Sequence, residues 1–253
     1  VLLLGITVVV ARLSVARGWD MDNIAAPMLT AAGDILTLPA LVLTTYLIGI
    51  PIFSDGLAVV LILVSVATAV LGFRLGVANL RRILAESLPL LALTGTVMIL
   101  VGLALEDRKE VFVTLPALFI LLPAFLQEGG ALGGILSSRL SSKVHLGLLA
   151  PRGIPEPGAF RDFTLTYIFA IGVYLFMGAS TLSPGFLTML GVSALAGLLA
   201  TTAAVFAAYY GSTVSYRFGL DPDTYGIPII TATVDLLGFM SLIIALNIFD
   251  LTG

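Results

Sequence analysis

Cysteine is absent from this chain of 253 residues, and histidine occurs once, at His145. Disulfides, thiolate metal sites and cysteine nucleophiles therefore drop out together, a lone histidine cannot build a zinc site, and oxygen ligands are the only plentiful metal chemistry left. Charge is scarce as well. Asp, Glu, Lys and Arg make up 11% of the chain, and the twelve basic residues form no run, which excludes the footprint of a nucleic-acid binder and a polybasic lipid patch. Low-complexity segments and polar stretches long enough for a soluble domain are missing too. What fills the chain is apolar: 59% of residues are hydrophobic and the mean hydropathy is +1.13, far above what a water-soluble core needs.

Apolar stretches long enough to cross roughly 30 Å of hydrocarbon as helices fall near 24–50, 56–74, 88–105, 111–138, 163–181, 185–210 and 227–249. An eighth, partial stretch runs from Val1 to Val10; it reads as the cut end of a span rather than a signal peptide, with more chain expected before it. Threading the spans alternately puts the loops at 12–22, 75–87, 139–162 and 211–223 on one side. All basic residues except Arg108 and Lys109 then share that side, the asymmetry of cytoplasmic loops. The least regular span is 111–138, where Gly129, Gly130, Gly133 and Gly134 follow Gln127 and Glu128, and a break or kink is expected there.

An internal repeat emerges at an offset of 201, which lays DMDNIAAPMLTAAGDIL at 20–36 over DPDTYGIPIITATVDLL at 221–237. Seven positions are identical, among them Asp20/Asp221, Asp22/Asp223, Pro27/Pro228, Thr30/Thr231 and Asp34/Asp235, and Gly18/Gly219 extends the match upstream. Apolar helices share Leu and Ala by chance, but not three acids, a Pro and a Thr in one register. Both copies enter from the same side, so the repeats are parallel and a pseudo-twofold along the membrane normal follows. The expected fold is thus an all-α polytopic membrane protein of parallel repeats with about five transmembrane helices each, the first truncated at its N-terminus. Residues 1–53 form the C-terminal end of repeat one, 54–85 a connecting transmembrane helix and cytoplasmic loop, and 86–253 all of repeat two.

Asp34 and Asp235 sit about ten residues into their spans, or about 15 Å at helical rise, near the bilayer middle. An ionised Asp there costs about 2.5–3.5 kcal/mol on insertion scales, so such acids usually face the bundle interior and mark an ion or proton path; the structural alternative is a hydrogen bond to a neighbouring helix. Thr30 and Thr231, one turn earlier on the same face, add hydroxyl and carbonyl oxygens. The pairs Asp20/Asp22 and Asp221/Asp223 stand just before a helix, where they either complement its N-terminal dipole or form a mouth that attracts cations. Glu128, deep in its span beside the glycines, is read as lining the same path, and His145 as a solvated interface residue.

The D-x-D-x-x-x-x-P-x-x-T-x-x-x-D segment and the stretch ESLPLLALTGTVMILVGLALEDRKEVFVTLPALFILLPAFLQEGGALGGILSSRLSSKVHLG at 86–147 resemble the MgtE divalent-cation transporters. The similarity is closest to the two-domain relatives of solute carrier family 41. The resemblance implies five spans per domain and a pore lined by the second and fifth spans of both domains, with the fifth-span Asp, here Asp34 and Asp235, as the main Mg²⁺ contact. Two departures accompany it: the acidic and paired regulatory modules of bacterial MgtE are lacking, and EGGALGG at 128–134 stands where an Asn-containing glycine motif is typical.

The chemistry agrees with that expectation, since Mg²⁺ is usually held by one or two carboxylates and keeps several waters. The expected function is therefore divalent-cation transport, Mg²⁺ first, in the plasma membrane. Mg²⁺ is the transported ion with no other cofactor, lipid and cations are the partners, and homodimerisation is left open. A proton- or sodium-coupled carrier of another solute is the main alternative. An intramembrane aspartyl protease fits less well, because its two acids need no matching repeat contexts.

Overall fold

A computed structural model describes residues 2–19, 21–48, 51–74, 80–181, 185–220 and 226–251. Among them every regular element is a helix, and the chain divides into two compact units, residues 1–88 and 89–253. The first unit holds α1 (Leu2–Arg17), α2 (Met21–Ile48) and α3 (Pro51–Arg74), with α2 packed on both neighbours. Helix α4 (Leu80–Glu106) carries Pro89 inside it, at the boundary between the units. The second unit adds α5 (Lys109–Thr114), α6 (Ala117–His145), α7 (Pro157–Ser180), α8 (Phe186–Phe218) and α9 (Ile227–Ile248).

Six helices among the described residues are long and apolar enough to cross a membrane: α3, α4, α6, α7, α8 and α9. In α2 the apolar stretch is shorter, Ala31–Leu47. The chain is an all-α polytopic membrane protein. Many large apolar side chains face outward, as Ile62, Leu63, Ile99 and Phe176 do at more than 60% exposure. Lipid accepts that surface, so burial of apolar area cannot hold these helices together; close packing and interhelical hydrogen bonds must.

Helix α8 shows how. Ala196, Ala200, Ala204 and Ala208 repeat every four residues, are fully buried, and let α6, α7 and α9 approach its backbone. Gly197 lies under the Tyr174 ring, where an added Cβ would stand 2.3 Å from Cγ. Hydrogen bonds pin the same contacts: Ser193 donates to the Tyr174 carbonyl at 2.7 Å, Ser212 to the Ser137 carbonyl at 3.1 Å, and Tyr167 and Thr202 pair at 2.9 Å.

Helix ends follow glycine. At Gly18 the backbone turns left-handed, Trp19 N donates to Ser14 O at 2.9 Å and Gly18 N to Val15 O at 3.4 Å. At Gly219 the same turn recurs, with Leu220 N on Ser215 O at 2.8 Å and Gly219 N on Tyr216 O at 3.2 Å. These are two Schellman caps in the register of the sequence repeat. A third, at Gly147, ends α6 and opens a loop that the end of α8 grips: Tyr209 Oη donates to Arg152 O at 2.8 Å and Arg217 Nη2 to Pro151 O at 2.9 Å.

One expectation is corrected. The 111–138 span breaks at Leu115–Pro116, between α5 and α6, and α6 runs unbroken through all four glycines. Proline lacks the N–H that would continue a helix from α5, whereas the glycines are tolerated because three of them lie against another helix.

Candidate functional site

Helices α6 and α9 meet along an antiparallel seam of small residues. A Cβ added at Gly133 would lie 2.9 Å from Ile230 Cγ2, at Gly129 2.9 Å from Val234 Cγ1, and at Gly130 3.2 Å from Thr231 Cγ2. From the other side, a Cβ at Gly238 would lie 3.4 Å from Leu126 Cδ2. Only glycine permits this approach.

The seam has two edges, set by the helical turn of about 100° per residue. Gly130 and Thr231 mark the line of closest approach. Gly129, Gly133, Ile230 and Val234 rotate toward α8, where Ala204 closes the inner edge 3.5 Å from the Cβ position of Gly133. On the opposite edge the same rotation brings Gln127, Ala131 and Gly134 of α6 beside Pro228 and Asp235 of α9. All five are partly exposed, whereas the inner-edge residues are buried. The antiparallel pairing sets Asp235 level with residues 126–129, and Gly134 about 9 Å further toward the end where α6 stops and α9 starts.

Asp235 is the ninth residue of a 22-residue helix, so it lies near mid-span. No hydrogen bond or ion pair among the described residues engages its carboxylate. Nor do three or more acidic, histidine or cysteine side chains gather anywhere among the described residues. A cation at this edge would meet one carboxylate, neutral oxygens such as the Thr231 hydroxyl and the Gln127 amide, and water.

Of the residues singled out from sequence, Asp235 lies on this edge and Thr231 on the line of closest approach next to it. Glu128 stands at the same depth but on the far flank of α6, within electrostatic reach of Tyr174 on α7. Tyr174 is 1% exposed and its hydroxyl has no hydrogen-bond partner among the described residues. Asp20, Asp221 and Asp223 lie outside the described residues, as do the side chains of Asp22, Thr30 and Asp34. His145 packs its ring edge against Tyr216, 5.1 Å between centroids, and bonds to the Ser141 carbonyl at 2.9 Å.

Sequence reasoning took Gln127 only as part of an irregular stretch. Its signal was available, since an uncharged amide three residues before Gly130 and seven before Gly134 shares their helix face. The sequence does not mark the half-buried ion pair of Lys143 with Asp162, which ties the end of α6 to the start of α7.

One comparison with known proteins gives a match. Residues 122–245 match the family model MgtE, described as a divalent cation transporter, a span that runs from α6 into α9 and contains the whole seam. No curated protein and no solved structure matches the chain. The match supports divalent-cation transport as the general activity.

Proposed function

We propose that this chain carries Mg²⁺ across the plasma membrane along a path whose ligand in the second unit is Asp235. The observation that carries the reading is the condition of that carboxylate: near mid-span, partly exposed, and without a protein partner among the described residues. An acid at that depth costs a few kcal/mol unless something offsets it, and a passing cation would. Mg²⁺ suits the edge because it needs few carboxylates and retains water, which one acid, a hydroxyl and an amide accommodate.

The repeat supplies the second carboxylate. Asp34 is the counterpart of Asp235, and the equal caps at Gly18 and Gly219 support equal entry of the chain into α2 and α9. In this reading, which follows the resemblance to the two-domain solute carrier family 41 relatives, Asp34 with Thr30 in the first repeat and Asp235 with Thr231 in the second are the ion ligands, and Asp20, Asp22, Asp221 and Asp223 attract cations at the cytoplasmic starts of their helices. Glu128 adds negative charge at the depth of Asp235 from the other flank of α6.

Asp235→Asn tests this directly. The variant keeps size and hydrogen-bonding capacity but loses the charge that offsets dehydration of a divalent ion. Mg²⁺ flux into proteoliposomes should be abolished or severely reduced. Thermal stability without Mg²⁺ should hold or rise, while the added stability that Mg²⁺ confers should shrink, because only binding to the folded state produces it. Wild-type flux with that Mg²⁺-dependent stabilisation intact would make the carboxylate structural and end the proposal.

A further inference from the structure

The four glycines of α6 are not equivalent. Cβ atoms at Gly129, Gly130 and Gly133 would strike α9 or α7 side chains at 2.9–3.2 Å, so close packing accounts for all three. Gly134 is different: a Cβ there would meet nothing within 4 Å. Packing does not require glycine at this position, and neither does the backbone, because Gly134 lies inside a continuous helix with no positive φ. Gly5, Gly56, Gly95, Gly102 and Gly172 are equally open within their helices, so openness by itself assigns no role and one for Gly134 needs a further ground.

Its place on α6 supplies one. Gly134 falls on the outer edge of the α6–α9 seam, one turn beyond Gly130, level with Ile229 and therefore between Thr231 and Pro228. Any cation reaching Asp235 along this edge from the end where α6 stops and α9 starts passes Gly134. A Mg²⁺ ion that keeps its six waters is about 7 Å across, taking a metal–oxygen distance of about 2.1 Å and a water radius of about 1.4 Å. Such an ion needs width as well as ligands.

We propose that Gly134 sets the bore of the approach to Asp235, its missing side chain leaving room for a divalent cation that still carries water. The inference rests on the transport reading above and adds to it a residue that touches the ion's hydration shell without ligating the metal. Because the space is open, side chains at 134 should fit the fold and obstruct the path in proportion to their size.

The test is a series, Gly134→Ala, Gly134→Leu and Gly134→Phe, in the full chain, with Asp235→Asn and Gly129→Ala as references. Mg²⁺ uptake into proteoliposomes and melting temperature in detergent are read for each. Flux should fall in order of size, at least tenfold for Gly134→Leu, while melting temperatures stay at or above wild type, in contrast to Gly129→Ala. Wild-type flux in Gly134→Leu alongside a dead Asp235→Asn would overturn the inference and leave the transport reading standing. A melting temperature in Gly134→Leu lowered as far as in Gly129→Ala would make 134 a packing position and also overturn it. Normal flux in Asp235→Asn would remove the reading, and the inference with it.

Discussion

Gly133→Ala examines whether the seam that positions Asp235 is as tight as its geometry implies. The new methyl would lie 2.9 Å from Ile230 Cγ2 and 3.5 Å from both Ala204 Cβ and Val234 Cγ2. Carbon atoms rest at about 3.5–4.0 Å, so α9 must retreat by roughly 0.6–1 Å. Ile230 cannot swing aside, being fully buried and stiff at its branched β-carbon. Overpacking of this kind costs about 1–3 kcal/mol, and the gain in helix propensity on replacing glycine returns about 1 kcal/mol. The net expectation is a loss of about 1 kcal/mol, with a fall in Mg²⁺ flux because Asp235 stands only five residues from Ile230. Ile230→Ala removes the opposing methyl and alone should cost about 2–5 kcal/mol. In the double variant the two changes compensate, so its loss should be smaller than the sum by about 1–3 kcal/mol. Equilibrium unfolding of the four proteins in detergent closes the cycle. Additive losses, or a Gly133→Ala protein more stable than wild type by the full propensity gain, would show that the helices do not touch as described.

Two further outcomes follow from buried polar groups in the second unit. Tyr174→Phe keeps the ring packed at a tilt against Phe125, 4.7 Å between centroids, and deletes a hydroxyl without a partner among the described residues, so stability should hold or rise by up to about 1–3 kcal/mol; a loss above about 1 kcal/mol in thermal unfolding would reveal a partner such as Glu128 or a water. Lys143→Met should destabilise by about 1–3 kcal/mol, discounted from the value for a fully buried pair because the lysine is one-third exposed, by stranding the Asp162 carboxylate. Adding Asp162→Asn should recover most of that loss, and no recovery in the double variant would show that the pair is not what ties α6 to α7.

Much of this architecture is written in local properties of the chain. Hydropathy places the spans because a helix must satisfy its own backbone in lipid, which needs only composition and length. The charge at Asp235 stands out for the same reason: one carboxylate among apolar neighbours is conspicuous without knowing what faces it. The repeat was legible because its marks are rare residue types in a fixed register, and the left-handed turns at Gly18 and Gly219 are short-range features that glycine alone encodes.

What a side chain meets across a helix interface is a different kind of fact. Gly129, Gly130, Gly133 and Gly134 read alike in sequence, and a break was the natural expectation; three proved to be contact points and one faces open space, a distinction set by where α9 and α7 lie. Pro116 looked like an ordinary member of an apolar run, yet the chain turns there because α5 and α6 are separate helices. Glu128 and Gln127 are adjacent, and one residue of rotation sends the first toward Tyr174 and the second to the edge that carries Asp235. Composition states how much of a helix is apolar and where its rare charges stand. Which face turns toward which neighbour depends on residues distant in the chain coming together, as Gly129 does with Val234 and Tyr174, and on the sub-ångström fit that lipid, offering no hydrophobic drive between helices, leaves as the deciding force.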